Sequence, residues 1–209
     1  MSEGGFVRGG VWHSVPRRER ADPADALILV DVQRAFLTGA DAVPAAPALL
    51  PVLAGLLDSA RSAGAVVVHL RNDGEPGAAD EPGIPGWELA LPVREGPDEH
   101  VMAKADDDGF TGTGLGALLE RRGVGRVVVA GVLSEMCVSA TAFGALERGL
   151  AVVLPHDAHG TYGLDDLPAE VVARVAEHAL GSDPELLRTA AAVRFVRPGG
   201  GADGASSDS

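Results

Sequence analysis

Three residues with complementary chemistry lie where buried strands are predicted to end. Asp31 lies near the end of the apolar run ALILVDV, Lys104 closes the short run HVMAK, and Cys137, the only cysteine, follows RVVVAGV in the segment LSEMC. Ligands bind outside the carboxyl ends of the strands in an open parallel sheet. A carboxylate, an ammonium and a thiol are therefore expected at one sheet edge, and together they favour nucleophilic catalysis.

Each of the three residues also has an ordinary structural interpretation. A lone cysteine is more often a small core residue, and a lone lysine is usually on the surface. Asp31 could cap a helix, but it follows apolar residues and precedes Val32, so we expect it to be buried. A buried carboxylate is costly unless it is paired, so Asp31 needs a cationic or donor partner. Taken together, the three groups favour function.

The chemistry expected of this set is acyl transfer to cysteine followed by hydrolysis. A carboxylate within reach takes the thiol proton and later delivers it to a leaving amine, while Lys104 keeps that carboxylate ionised. A cysteine in the first turn of a helix, near a lysine, should have a lowered pKa, so we expect Cys137 to tend towards the thiolate. Backbone N–H groups at the strand-to-helix turn would face the developing oxyanion.

The elements that would position these residues alternate between strands and helices. Runs rich in Val and Ile predict buried parallel strands, with a short strand at HVMAK; they lie at 26–32, 65–71, 100–104, 126–132 and 151–158. Helical patterns lie at 47–64, 111–123, 134–149 and 168–181, with Thr111 and Ser134 as N-cap candidates and Gly64 as a C-cap. A short helix at PELLRTA and an edge strand at VRFVR follow. The alternation predicts a three-layer α/β/α Rossmann-like fold with a mainly parallel sheet of about six strands.

The length of 209 residues suits one such domain, which we place at 21–197. An N-terminal arm at 1–20 would precede it. A tail at 198–209, PGGGADGASSDS, is expected to be disordered because it cannot build a core. The segment from Asn72 to about Glu99 is rich in Gly, Pro and acids, which predicts a long loop and no second domain.

Composition narrows the class of partner. The net charge of −13 argues against nucleic acid, which needs clustered Lys and Arg. No apolar run approaches the about 18 residues that span a bilayer, and the N-terminus lacks the apolar block of a signal peptide. One cysteine allows no intrachain disulfide. We therefore expect a soluble cytoplasmic protein with no nucleic-acid or membrane partner.

The ordered combination of these segments resembles the isochorismatase-like cysteine hydrolases, a superfamily that includes nicotinamidases and N-carbamoylsarcosine amidases. The likeness runs from ALILVDVQRAF at 26–36, through VMAKADDDGFTGTG and LSEMCVSAT, to DAHGTY at 157–162. It implies an Asp–Lys–Cys triad at Asp31, Lys104 and Cys137, with Asp31 as general base and Cys137 as nucleophile. It also implies a cis peptide between Val132 and Leu133, which turns the Leu133 N–H, with that of Cys137, towards the oxyanion. Relatives are commonly dimers or tetramers, so a homodimer or homotetramer is expected.

Metal binding is not expected. Nicotinamidases of this family bind a metal through an Asp and two or three His after the second strand. Here that region offers His69 and Asp73 with no second histidine nearby, and first-row metals need several ligands. His156 and His159 have no third ligand in view and are expected to be structural. We therefore expect no catalytic metal and no cofactor.

Acidic residues around the triad favour a cationic substrate. The run DDD at 106–108 follows Lys104, and Glu135 lies two residues before Cys137. A solvated loop is the alternative interpretation of DDD. Isochorismate, a dianion, would instead require extra Arg or Lys. The segments SEMCV and DAHGTY, together with these acidic residues, resemble those of the streptothricin hydrolases. Those enzymes open the lactam ring of a polycationic antibiotic. A small-molecule amide or lactam is thus the expected substrate, and the candidate pocket residues are Gln33, Phe36, Trp87, Asp108, Phe110, Glu135 and Tyr162.

Other functions stay open at this point. The protein could hydrolyse another small molecule, as nicotinamidases or isochorismatases do, or it could be a catalytically silent oligomeric scaffold. Cys137 could also be a redox-sensing thiol. The absence of a second cysteine to resolve a sulfenic acid weakens the redox interpretation.

Overall fold

A computed structural model describes residues 6–8, 11–13, 22–94, 96–181, 184–187 and 189–199. Most of the arm at 1–20, and the tail from 200 onward, lie outside the described residues. The described parts of the arm are two short strands, β1 (Phe6–Arg8) and β2 (Val11–His13), which pair antiparallel. No helix among the described residues is long and apolar enough to cross a membrane.

A seven-stranded sheet forms the centre of the molecule, and its strands pair in parallel. Its order is β5-β4-β3-β6-β7-β9, with β8 also pairing with β6. The strands are β3 (Ala26–Val30), β4 (Val66–Asn72), β5 (Glu99–Lys104), β6 (Arg126–Val132), β7 (Ala151–Pro155), β8 (His159–Gly160) and β9 (Glu185–Leu187). The sequence predicts about six strands; β8, which is too short to predict from a pattern, and β9 are additional, whereas the strand expected at VRFVR does not form.

The helices are α1 (Arg34–Leu37), α2 (Ala46–Ala63), α3 (Leu115–Arg121), α4 (Ser139–Glu147) and α5 (Ala169–Ala179). A wide π-type turn, Ser134–Val138, precedes α4. Single 3-10 turns lie at Pro85–Trp87, His156–Ala158 and Ala190–Ala192. Gly64 ends α2 in the left-handed conformation with φ of 69°, which glycine adopts without steric cost.

Two apolar cores lie on opposite faces of the sheet because successive strand residues point to opposite sides. Leu27 and Leu29 of β3 belong to the core that packs against α2, whereas Ile28 and Val30 belong to the core that packs against α3 and α4. These four side chains are completely buried. The sheet is therefore the middle layer of the predicted α/β/α sandwich.

The C-terminal elements differ from the sequence prediction. PELLRTA was expected to be a helix, but Glu185–Leu187 is strand β9, paired with Val153–Pro155 of β7. The edge strand expected at VRFVR is wrong, since Phe195 makes only an isolated parallel bridge with Ala24. At Glu185–Leu187, pairing with the edge of the sheet outweighs the local preference of the sequence for a helix.

The starts of two helices also differ. α3 begins at Leu115 rather than at Thr111, with Gly114 as its N-cap. Ser134 does not cap the turn that carries Cys137; Leu133 is the residue before this turn, and the Ser134 hydroxyl contacts His159 Nδ1 at 2.9 Å.

Candidate active site

Asp31 is the first residue after β3 and turns sharply into the site. Its φ of 49° lies in the left-handed region, which Asp tolerates better than most residues. Its N–H donates to Leu70 O at 3.0 Å, so the end of β4 fixes the turn. The side chain is 4% exposed, as the sequence predicts, and Oδ1 has no hydrogen-bond partner among the described residues.

Lys104, the last residue of β5, joins the acid to the thiol. Its buried Nζ lies 2.9 Å from Asp31 Oδ2 and 3.3 Å from Cys137 Sγ. It also donates to Asp106 O at 3.1 Å and to Asn72 Oδ1 at 3.4 Å. The structure thus brings together the three residues that the sequence singled out, with the ammonium between the carboxylate and the sulfur.

Cys137 lies on the π-type turn that follows β6. The peptide between Val132 and Leu133 is cis, as the resemblance implies. Met136 interrupts the helical geometry, with φ of −110° and ψ of −106°. The Ser139 hydroxyl donates to Ser134 O at 2.6 Å and braces the turn from α4.

Protonation states in the site differ from one sequence expectation. Burial raises the pKa of the Cys137 thiol, and the negative charges of Asp31 and Asp107 raise it further, while Lys104 only partly offsets them. The expected lowering of the thiol pKa is therefore wrong, because the short interrupted turn and one lysine do not outweigh burial beside two carboxylates.

The two other groups of the triad also have shifted pKa values. Burial raises the pKa of Asp31 despite the opposing charge of Lys104, which makes the carboxylate a stronger base. Burial would lower the pKa of Lys104, but the negative charges of Asp31 and Cys137 outweigh it and raise the pKa. The resting site thus combines a neutral thiol with a protonated lysine.

Asp107 contacts Cys137, which the sequence did not reveal. The Cys137 thiol donates to Asp107 Oδ1 at 3.3 Å. The run DDD indicated acidity near the site, but only the loop conformation distinguishes Asp107 from its neighbours. Asp106 O binds Lys104, whereas Asp108 Oδ1 accepts from the Phe110 N–H at 2.9 Å and Oδ2 from Thr111 Oγ1 at 3.2 Å.

The structure uses two predicted pocket residues mainly to fix the loops beside the site. Gln33 is completely buried; its Nε2 donates to Asn72 O and to Trp87 O, and its Oε1 accepts from the Asn72 N–H. The Trp87 ring has the Arg71 guanidinium 3.4 Å from its centroid and donates from Nε1 to Asp73 Oδ1 at 2.7 Å.

The remaining candidate pocket residues fall into two groups. Phe110 is 6% exposed within the α3–α4 core, and Phe36 and Tyr162 pack against the α2 core. The Tyr162 hydroxyl donates to Asp41 O at 2.7 Å. Glu135 instead lies exposed on the turn that carries Cys137, and within the described residues its carboxylate has no hydrogen-bond or ion-pair partner. Of the predicted set, Glu135 is the side chain most accessible to a ligand near Cys137.

An open depression of about 460 Å³ adjoins Lys104 at the carboxyl end of β5. Asp73 and Asp106 are its acidic lining residues, and Cys137 does not line it. The surface next to the triad is therefore negatively charged.

The histidines considered as metal ligands have other partners. His69 Nε2 lies 3.0 Å from Glu99 Oε1, away from Asp73, whose Oδ1 binds Trp87. His156 Nδ1 and His159 Nε2 lie 2.5 Å and 3.2 Å from Glu177 Oε1, in a structural cluster between β8 and α5. Within the described residues, no group of three His, Cys, Asp or Glu side chains is arranged to hold a metal ion.

The isochorismatase domain is matched at residues 25–179, which span the whole sheet except β9 and include the three residues that meet at Lys104. The chain therefore belongs to the isochorismatase family of hydrolases.

Within this family, the chain is similar to several known proteins. Two proteins of Streptomyces noursei, each a streptothricin hydrolase, are 58% and 53% identical to the chain. These matches cover 83% and 88% of this chain and 65% and 75% of the two relatives, so the chain spans less than two thirds of the first relative. A crystal structure of an isochorismatase from Pseudomonas putida KT2440 superposes with a TM-score of 0.74 at 26% identity, covering 83% of this chain and 93% of that one.

Proposed function

We propose that the protein is a cysteine hydrolase that opens a streptothricin-type lactam by cleaving its C–N bond. The contact chain Asp31–Lys104–Cys137 carries this proposal, because it places a base, a cation and a thiol together at one sheet edge. The identity of more than half of the aligned residues to two streptothricin hydrolases supports the choice of substrate.

The reaction begins with proton transfer from Cys137 Sγ to Asp31, whose Oδ1 is buried without a partner and is open to accept a proton. The sulfur attacks the lactam carbonyl carbon, and negative charge moves onto the carbonyl oxygen. The N–H groups of Leu133 and Cys137 at the turn would bind this oxyanion. No described residue accepts a hydrogen bond from the Leu133 N–H, so this donor is available.

Collapse of the tetrahedral intermediate breaks the C–N bond. Asp31 returns its proton to the leaving nitrogen, and a thioester remains on Cys137. Asp31 then takes a proton from water, the hydroxide attacks the thioester, and the sulfur leaves with the proton from Asp31. The product is the ring-opened amino acid, one water heavier than the lactam.

We also propose that the protein acts in the cytoplasm as a homodimer or homotetramer, without a metal or cofactor. Exposed apolar side chains on the surface support self-association, because such residues cluster at interfaces. Phe143 of α4 and Val171 and Val175 of α5 are 43%, 40% and 59% exposed.

The test is a substrate panel read by mass spectrometry, with streptothricin, nicotinamide and maleamate offered to the wild type and to Cys137→Ala. We expect the wild type to add one water to streptothricin, and Cys137→Ala to add none while keeping its far-UV circular dichroism. Fast turnover of nicotinamide or maleamate with streptothricin left intact would contradict the lactam proposal. No turnover of any compound would favour a catalytically silent scaffold.

A further inference from the structure

A second carboxylate contacts the nucleophile from the solvent side. Asp107 is exposed, and its Oδ1 accepts the Cys137 thiol hydrogen bond at 3.3 Å. Asp31 is the buried carboxylate of the same site, and its Oδ1 has no partner among the described residues. A thiol has one proton, and two carboxylates, Asp107 and Asp31, are near enough to act on it.

The fold fixes the position of Asp107. Its carbonyl accepts from Thr141 Oγ1 of α4 at 3.4 Å, and the same oxygen of Thr141 accepts from the Gly109 N–H at 3.0 Å. A Cβ at Gly109 would lie 2.2 Å from Cδ1 of the buried Leu70, so a larger residue here would displace either the loop or this side chain. On the other side of Asp107, the Asp106 carbonyl is bound by Lys104. The backbone that carries Asp107 is thus held at both ends.

We propose that Asp107 binds a positive group of the substrate and thereby frees the thiol to pass its proton to Asp31. This inference rests on the proposed hydrolase function. Asp107 would be a specificity-determining residue, because only a cationic substrate would remove it from the thiol.

The charges around the thiol explain why a substrate cation at Asp107 would promote proton transfer from Cys137 to Asp31. Three charged groups act directly on the thiol: Asp31 after β3, Lys104 of β5 and Asp107, with Glu135 exposed on the same turn. Pairing Asp107 with a substrate cation cancels one of the two negative charges that disfavour the thiolate. It also removes an acceptor that competes with Asp31 Oδ1 for the thiol proton. A neutral substrate provides neither effect, and an anionic one is repelled.

Other carboxylates near the site also favour a cationic substrate. Asp73 and Asp106 line the adjoining depression, and Glu135 has no partner among the described residues. A substrate with several positive charges can therefore pair with Asp107 and with these outlying carboxylates together.

The experiment compares Asp107→Asn with the wild type in two assays. In the first, iodoacetamide labelling of Cys137 is followed against pH without substrate. We expect Asp107→Asn to label about threefold faster at a given pH, because a thiol pKa lowered by about one gives about ten times more thiolate, but each thiolate is less nucleophilic. In the second, kcat/KM is measured for streptothricin and for an uncharged lactam. We expect a loss of about tenfold or more for streptothricin and no loss for the uncharged lactam.

Two further variants make the test specific. Asp58→Asn makes the same charge change on the exposed surface of α2 and should behave as the wild type in both assays. Asp107→Glu keeps the charge and should retain the preference for streptothricin. Equal losses on both lactams, or a wild-type labelling rate in Asp107→Asn, would overturn the inference. Because labelling needs no substrate, it tests the contact between Asp107 and the thiol even if the proposed lactam hydrolysis fails.

Discussion

Glu99, the first residue of β5, should make the free energy of unfolding depend on pH in the acidic range. Its carboxylate is 6% exposed and accepts from Arg61 Nη2 at 2.7 Å and Nε at 2.8 Å, from the Arg94 N–H at 2.9 Å, and from His69 Nε2 at 3.0 Å. Arg61 belongs to α2 and His69 to β4, so this cluster ties three elements together beside the strand that carries Lys104.

The magnitude follows from the pKa of Glu99. Burial alone would raise this pKa, but the hydrogen bonds from Arg61, Arg94 and His69 outweigh it and lower the pKa from 4.5 to about 2. Such a difference corresponds to about 3 kcal/mol of folding free energy. Because the folded pKa lies below the unfolded value, this stabilisation is present above pH 4.5 and is lost as the pH falls towards 2.

The perturbation is Glu99→Gln, measured by urea unfolding with circular dichroism from about pH 7 down to about pH 2. We expect the variant to be less stable by about 3 kcal/mol near neutral pH, with the difference shrinking below pH 4.5. Glu88→Gln is the matched control, because Glu88 pairs with Arg34 at 2.7 Å while both side chains are more than half exposed. Such a pair contributes less than about 1 kcal/mol. A difference between Glu99→Gln and the wild type that stays constant across this range would refute the reasoning.

Two further predictions concern the site and the assembly. Gly131→Ala should destabilise the protein by at least about 3 kcal/mol in the same urea assay, since Gly131 has φ of 128° and an added Cβ would lie 2.0 Å from Val30 O. Gly125→Ala, whose Cβ would meet only Asp25 Oδ2 at 3.7 Å, should be close to neutral, and equal losses would contradict this account. Light scattering should give two or four times the chain mass of 21.3 kDa, and the mass of a single chain would exclude the proposed oligomer.

The sequence predicted the parts of the site that depend on buried strands. Asp31 and Lys104 each end an apolar run, and Cys137 follows one, so parallel pairing alone brings them to one edge. The alternation of strands and helices also predicted the three layers, because parallel strands joined by helices form a sheet that the helices cover on both faces.

What the sequence could not predict depends on loop geometry and on sums of opposing effects. Asp107 differs from Asp106 and Asp108 only in where the loop directs its side chain. Phe110 is an aromatic residue that could form the wall of a pocket, yet it belongs to the hydrophobic core because α3 and α4 cover it. The direction of the thiol pKa shift could not be predicted because it depends on burial and on the charges of Asp31 and Asp107, which together outweigh Lys104.

The neutral thiol is compatible with rapid attack because of the position of Lys104. Proton transfer from Cys137 to Asp31 moves one negative charge from a carboxylate 2.9 Å from Nζ to a sulfur 3.3 Å from it. At an effective dielectric constant of about 20, the attraction to the ammonium then changes by less than about 1 kcal/mol. The lysine therefore stabilises both ends of the transfer almost equally, and the raised pKa of Asp31 favours the product side. The thiolate that forms is also more nucleophilic than one from a thiol of lower pKa, because thiolate nucleophilicity rises with the pKa of the thiol. In the proposed mechanism, the protein would therefore gain reactivity by transferring the proton only when substrate is present, and not by storing a thiolate.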